Sequence, residues 1–161
     1  MNKLNNKLVI IVGNIGCGKS TLANKLASDF KFGVFNMDSL TTMLGGYEYT
    51  RFDKNKTECY NEIRQFIVRN LLKNNFNCII DSTNLTVRKR KEFIDIAKSL
   101  KVPEIICFDF GPGIDEYLER RLKNNRGVNS ETWKKVYTRM KNEYESPSID
   151  EGFTIINNIT P

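Results

Sequence analysis

The stretch KLVIIVGNIGCGKST, residues 7–21, constrains this chain more than any other. A short apolar run, Leu8–Val12, passes directly into G-x-x-x-x-G-K-S, and a helix-forming sequence follows. A strand that enters a helix through such a loop turns main-chain N–H groups inward around a phosphate. Gly13, Gly16 and Gly18 allow the positive φ angles that the tight turn needs. The helix that begins near Lys19 adds the positive end of its dipole. Lys19 then reaches the β- and γ-phosphates of ATP or another nucleoside triphosphate, and Ser20 ligates Mg²⁺. The expected nucleotide-binding set is Gly13, Asn14, Ile15, Gly16, Cys17, Gly18, Lys19, Ser20 and Thr21, joined by Arg126 from far along the chain.

The length of 161 residues suits a single domain spanning 1–161. With 40% hydrophobic and 27% charged residues, a folded soluble protein is expected. No apolar run reaches the length of a membrane span. The basic start MNKLNNK lacks a small-residue cleavage site and runs straight into the glycine loop. It is read as the approach to a first strand, not as a leader, and a cytoplasmic location is expected. Cys17, Cys59, Cys78 and Cys107 are scattered without C-x-x-C pairs, which argues against zinc or a disulfide framework. The chain has no histidine, so a general base would be a carboxylate or a less usual group. The net charge of +6 suits a polyanionic partner and a solvated basic surface equally.

Strand and helix signals alternate. Strands are predicted over 7–13, 33–38, 77–81, 104–110 and 153–159, and helices over 20–30, 58–72, 86–100 and 114–124. Another helix carries the stripe Trp133, Val136, Tyr137, Met140 and Tyr144, read as core packing rather than a binding platform. Inward faces are expected at Leu22, Leu26 and Phe30; at Tyr60, Ile63, Ile67 and Leu71; and at Phe93, Ile96, Ala97 and Leu100. The pattern predicts an α/β fold with a parallel sheet whose strand ends share one ligand-binding edge.

Asp38 follows Lys19 by nineteen residues at the exit of the second predicted strand. An acid about twenty residues past G-x-G-x-x-G would bind ribose in a dinucleotide fold. Here the glycines run G-x-x-G-x-G with Lys-Ser behind them, which removes that role. Two roles remain open: a base that takes the proton of an attacking alcohol, and a cap on a helix starting at SLTTML. Asp81 ends the third predicted strand, where an acid holds Mg²⁺ directly or through water. Thr83 and Asn84 are candidates to cap the helix from Thr86. Arg88, Lys89, Arg90 and Lys91 open that helix against its dipole, which points either to an anionic ligand or to a solvated face. Arg126 precedes Gly127 in a polar segment between two helices, a place from which a lid delivers positive charge to a migrating phosphoryl group. Arg120 and Arg121 point in different directions on a helix, so at most one is expected to serve the site.

GNIGCGKS, NMDSL, DSTNL with Arg90 six residues beyond Asn84, NNRG and YESPSIDEGF occur in one order along the chain. In that order they resemble the kinase domain of phage-type and animal polynucleotide 5′-kinases, and related small bacterial P-loop ATPases. G-x-x-x-x-G-K-S alone is generic. Joined to E-x-P-x-x-x-E-G-F, formed by Glu145, Pro147, Glu151, Gly152 and Phe153, it is much more specific. The resemblance covers nearly the whole chain. It implies a three-layer P-loop kinase fold with strand order 2-3-1-4-5 and a helical lid, an ATP or other NTP donor with Mg²⁺, and a 5′-hydroxyl of DNA or RNA as acceptor. By position, Asp38 matches the family's general base and Arg126 its lid arginine, beside Lys19 at the phosphates and Ser20 with Asp81 at the metal. Asp38, Thr83, Asn84, Arg88 and Arg90 are the acceptor-side candidates. The family's phosphatase and ligase domains have no counterpart in this sequence.

Two positions depart from the family. Met37 stands where an arginine is common, and Thr41 where the phage-type enzyme has an arginine directed at the acceptor's phosphate. A small-molecule kinase acting on a nucleoside, sugar or antibiotic is therefore the second expectation, and an NTP-switched binding module the third.

Overall fold

The computed structural model describes residues 5–45 and 54–159. Strands β1 (Lys7–Val12), β2 (Gly33–Asn36), β3 (Cys78–Asp81), β4 (Glu104–Asp109) and β5 (Ile155–Asn158) form one sheet in the order β2-β3-β1-β4-β5. Every adjacent pair is parallel. The helices are α1 (Lys19–Phe30), α2 (Met37–Leu44), α3 (Thr57–Lys73), α4 (Val87–Ser99), α5 (Asp115–Lys123) and α6 (Ser130–Glu143). This is the P-loop kinase fold with the expected strand order.

β1 is continuously apolar because helices cover both faces of the sheet. Leu8, Ile10 and Val12 pack with Val68 and Leu72 of α3 and with Phe93, Ile94 and Ala97 of α4. Val9 and Ile11 point the other way, toward Leu22, Ala23 and Leu26 of α1. A third cluster gathers Tyr117 of α5 and Trp133 and Tyr137 of α6 around Ile15 and Cys17 of the glycine loop. The aromatic stripe of α6 is thus core, as its spacing suggested.

The register sets the ligand edge. Asn36 pairs with Asp81, and Asp81 pairs with Ile11, so β2, β3 and β1 end side by side next to the glycine loop. Three details differ from the sequence expectation. Phe30 is 61% exposed: α1 ends at Lys31 in a left-handed turn (φ 56), and Phe32 takes the place in the core. The apolar face of α3 is broader than the predicted stripe and includes the fully buried Val68 and Leu72. β2 stops at Asn36, and Asp38 lies in the first turn of α2.

Among the described residues no helix is long and apolar enough to cross a membrane. All four cysteines are free thiols. Burial pushes the Cys78 thiol up to about 12, and burial together with the Asp109 carboxylate does the same for Cys107. A thiol reagent at about pH 8 is therefore expected to modify the exposed Cys59 while Cys78 and Cys107 stay unreacted in the folded chain, a ranking that peptide mapping reads directly. In urea denaturation, Leu72→Ala should cost about 2–5 kcal/mol, whereas Phe30→Ser should change stability by no more than about 0.5 kcal/mol.

Candidate active site

The glycine loop is held from three sides. Its first N–H, on Gly13, donates to the Thr83 carbonyl at 3.0 Å. The buried Asn14 amide donates to the carbonyls of Pro112 (2.8 Å) and Tyr137 (3.1 Å), while its Oδ1 accepts from the Ile15 N–H. Gly16 (φ 77) lies so close to α5 that a Cβ there would stand 1.9 Å from the Tyr117 carbonyl oxygen. Ile15 and Cys17 bury their side chains. Gly18 is the N-cap of α1 in the left-handed region, with no side-chain cap and no acid in the first turn. The first N–H groups of α1 thus remain available to an anion, and the dipole favours one. Lys19 Nζ donates to the Asn14 carbonyl at 2.6 Å.

Two cavities meet at this loop. One is a groove between Gly16, Gly18, Lys19, Ser20 and Thr21 on one side and Arg120, Arg121, Asn124 and Arg126 on the other. Four cations and no carboxylate line it, as an oligophosphate requires. Arg120 and Arg121 both line it, where the sequence led to the expectation that at most one would serve the site. Arg120 lies over Tyr117 (5.6 Å) and Arg121 over Trp133 (4.9 Å). The second cavity, of about 930 Å³, is bounded by Ser20, Asn36, Asp38, Asp81 and Arg126 and by an apolar wall of Val34, Phe35, Leu40, Met43 and Ile67. Ser20 and Arg126 line both.

Asp38 accepts from Arg126 Nη1 at 3.0 Å, 88 residues away in sequence. Arg126 itself sits at φ 52, directly before Gly127 at φ 77, so a tight bend aims its side chain across the cleft. The α2 cap is Asn36, not Asp38: Asn36 Oδ1 accepts from the Ser39 N–H at 2.8 Å, and Nδ2 donates to Asp81 Oδ2 at 2.7 Å. That leaves the Asp38 carboxylate free of the capping role.

Asp81 and Ser20 supply hard oxygen donors on one cavity wall, and among the described residues no group of three His, Cys, Asp or Glu side chains converges. Such a sparse set fits Mg²⁺, which is bound through one or two protein oxygens together with substrate phosphates and water. Asn36 orients the Asp81 carboxylate from behind.

The other acceptor-side candidates lie elsewhere. Thr83, Asn84, Arg88 and Arg90 do not line the cavity around Asp38. Thr83 offers its carbonyl to the glycine loop, and Asn84, 2% exposed, donates to the carbonyls of Ile11 (2.8 Å) and Ile80 (3.3 Å). Thr86 caps α4, accepting from the Lys89 N–H. Arg90 is 0% exposed and locked to Glu151. The anion implied by the basic run is therefore partly internal: Glu151 for Arg90, Asp95 for Lys91, and Glu145, which accepts from the Val87 N–H at the start of α4.

A family model described as "AAA domain" matches residues 8–147. The chain belongs to this AAA domain family. Its relatives include the bifunctional polynucleotide phosphatase/kinase of Schizosaccharomyces pombe, 28% identical over 158 residues that cover 95% of this chain and 33% of that protein. The L-seryl-tRNA(Sec) kinase of Methanococcus maripaludis is 24% identical over 132 residues, covering 81% of this chain and 51% of that protein. This AAA domain thus spans about a third of the first relative and about half of the second. Among solved structures, a chain of the Pnkp1/Rnl/Hen1 RNA repair complex matches with a TM-score of 0.70 at 24% identity, over 88% of this chain and 46% of that one. At that identity the match speaks for the fold.

Sequence reasoning missed Asn36 and Asp109, and read Asn14 only as a member of the phosphate loop. An Asn at a strand end carries no motif, and Asp109 is marked only by its place at the end of β4. Asp109 accepts from the Gly111 N–H and from the Tyr144 hydroxyl (2.6 Å), tying the end of β4 to the end of α6. Burial, and then this hydrogen bond, push the Tyr144 phenol up to about 12. Replacing Gly16 by alanine should abolish ATP binding while the circular dichroism spectrum stays that of wild type, because the loop must leave α5 to admit the methyl group.

Proposed function

We propose that this AAA domain transfers the γ-phosphate of ATP or another NTP, with Mg²⁺, to the 5′-hydroxyl of DNA or RNA. The observation that carries the proposal is the shared rim: Ser20 and Arg126 border both the cationic groove and the cavity that holds Asp38. A triphosphate along the groove brings its terminal phosphate to the mouth of that cavity. An alcohol lying there has a carboxylate at hand and the phosphoryl donor beyond it.

Asp38 takes the proton as the alcohol oxygen forms its bond to phosphorus and the bond to the β-phosphate oxygen breaks, releasing ADP. Lys19 and the main-chain N–H groups hold the donor phosphates. Ser20 and Asp81 would hold Mg²⁺, which would supply positive charge to the phosphates. Arg126 stands between two anions, the Asp38 carboxylate and the γ-phosphate. Passing Arg126 from Asp38 to the phosphate both stabilises the migrating group and leaves the carboxylate open to the alcohol's hydroxyl.

The acceptor cavity also favours a second reading. Among its described lining residues Arg126 is the single cation, and one wall is apolar. That suits an acceptor with a neutral body beside its hydroxyl, such as a nucleoside. The named kinase relatives, one a polynucleotide phosphatase/kinase and one a seryl-tRNA kinase by name, support phosphotransfer to an alcohol under either reading.

Incubation with γ-labelled ATP, Mg²⁺ and 5′-hydroxyl DNA and RNA oligonucleotides, with free nucleosides in parallel, separates the two. Label on oligonucleotides alone supports the polynucleotide acceptor, and label confined to nucleosides overturns it. Asp38→Asn should lower transfer by about 10²–10⁴-fold with ATP affinity nearly unchanged. Residual transfer within about tenfold of wild type would rule out Asp38 as the base.

A further inference from the structure

Arg90 is the largest fully buried side chain among the described residues, and every contact it makes is internal. Nε and Nη2 donate to the two carboxylate oxygens of Glu151 at 2.7 and 2.8 Å. Nη1 donates to three carbonyls: Asn84 (3.1 Å), Leu85 (3.1 Å) and Glu145 (2.9 Å). A buried cation with so many partners is costly to assemble and costly to break. Its targets are specific. Asn84 and Leu85 belong to the turn that follows Asp81.

That turn backs the phosphate loop. Thr83 accepts from the Gly13 N–H at 3.0 Å, and the Asn84 amide reaches the Ile11 carbonyl at 2.8 Å. Asn84 sits at φ 45, in the left-handed region that asparagine enters more readily than most L-residues. The far end of the clamp is the segment 145–152. Glu145 N donates to Leu85 O at 2.9 Å, and Glu151 also accepts from the Ser148 N–H. Hydrogen bonds thus run from Glu151 through Arg90 to the turn, and the turn's own main chain and the Asn84 amide carry the connection on to Gly13 and β3.

We propose that Arg90 is a positioning residue for phosphoryl transfer, clamping the Ser82–Leu85 turn so that Asp81 and the phosphate loop keep their relative placement. The inference rests on the phosphotransferase reading above. It assigns the start of α4 to the geometry of the donor site, not to acceptor binding. Lysine cannot replace Arg90, because a point-like ammonium cannot span a carboxylate and three carbonyls at once.

The test compares Arg90→Lys and Glu151→Gln with Arg64→Lys, which perturbs an ion pair with Glu92 between α3 and α4 outside this path. Both clamp variants should lower kcat about tenfold or more and raise the Mg²⁺ concentration for half-maximal transfer several-fold. The acceptor KM should stay within about twofold. Arg64→Lys should lower the melting temperature without moving the Mg²⁺ profile. Glu151→Gln preserves shape and gives the answer where Arg90→Lys does not fold. A folded clamp variant with wild-type kcat and Mg²⁺ profile overturns the proposal. If wild type labels no acceptor, the phosphotransferase reading fails by itself. ATP affinity against Mg²⁺ concentration, read from the single tryptophan, Trp133, beneath Arg121 of the donor groove, then still decides the clamp.

Discussion

The pairing of β1 between β3 and β4 is the constraint on which the rest of the site depends. It places Ile11 level with Asp81 and Val12 level with Asp109, so the glycine loop leaves the sheet beside both acids. Parallel strands all end on the same edge, and the loops that follow them crowd there. The bond from Gly13 N to Thr83 O continues that pairing one step past the strands. The glycine-loop backbone and the end of β3 are thereby parts of one hydrogen-bonded unit, not two loops that happen to meet.

The surrounding side chains divide into those that face the cleft and those that hold it. Lys19, Ser20, Asp38, Asp81, Arg120, Arg121 and Arg126 line the two cavities. Asn14, Asn36, Asn84 and Arg90 are directed at carbonyls or carboxylates and hold backbone in place. In a low-dielectric interior each of these polar groups must be satisfied, and satisfying them fixes loop geometry at the same time. The Asp38–Arg126 pair is different: its members are 56% and 35% exposed, and such a pair is weak enough to exchange partners.

The resemblance to polynucleotide 5′-kinases anticipated the strand order, and the family match over residues 8–147 agrees with the P-loop assignment. The acceptor is a separate matter. An apolar wall with Arg126 as the one cation among its described residues suits nucleosides as well as strand ends. Thr41, which stands where the phage-type enzyme has an arginine, donates its hydroxyl to the Met37 and Asp38 carbonyls within α2.

Local chemistry made part of this protein legible in its sequence. Gly13, Gly16, Gly18, Lys19 and Ser20 form a loop recognisable within eight residues, and short apolar runs marked the strands of a parallel sheet. The helix spans of α3 and α4 followed from periodicity alone. What the tertiary structure decided were contacts between distant segments. Asp38 met Arg126 across 88 residues, and Arg90, which reads as one charge in a surface-like basic run, turned out to be buried against Glu151, 61 residues on. A side chain's partner depends on which strands lie next to each other, and spacing along one segment carries no record of that. Phe30 illustrates the converse, since a left-handed turn at Lys31 exposed a residue that periodicity alone had placed in the core.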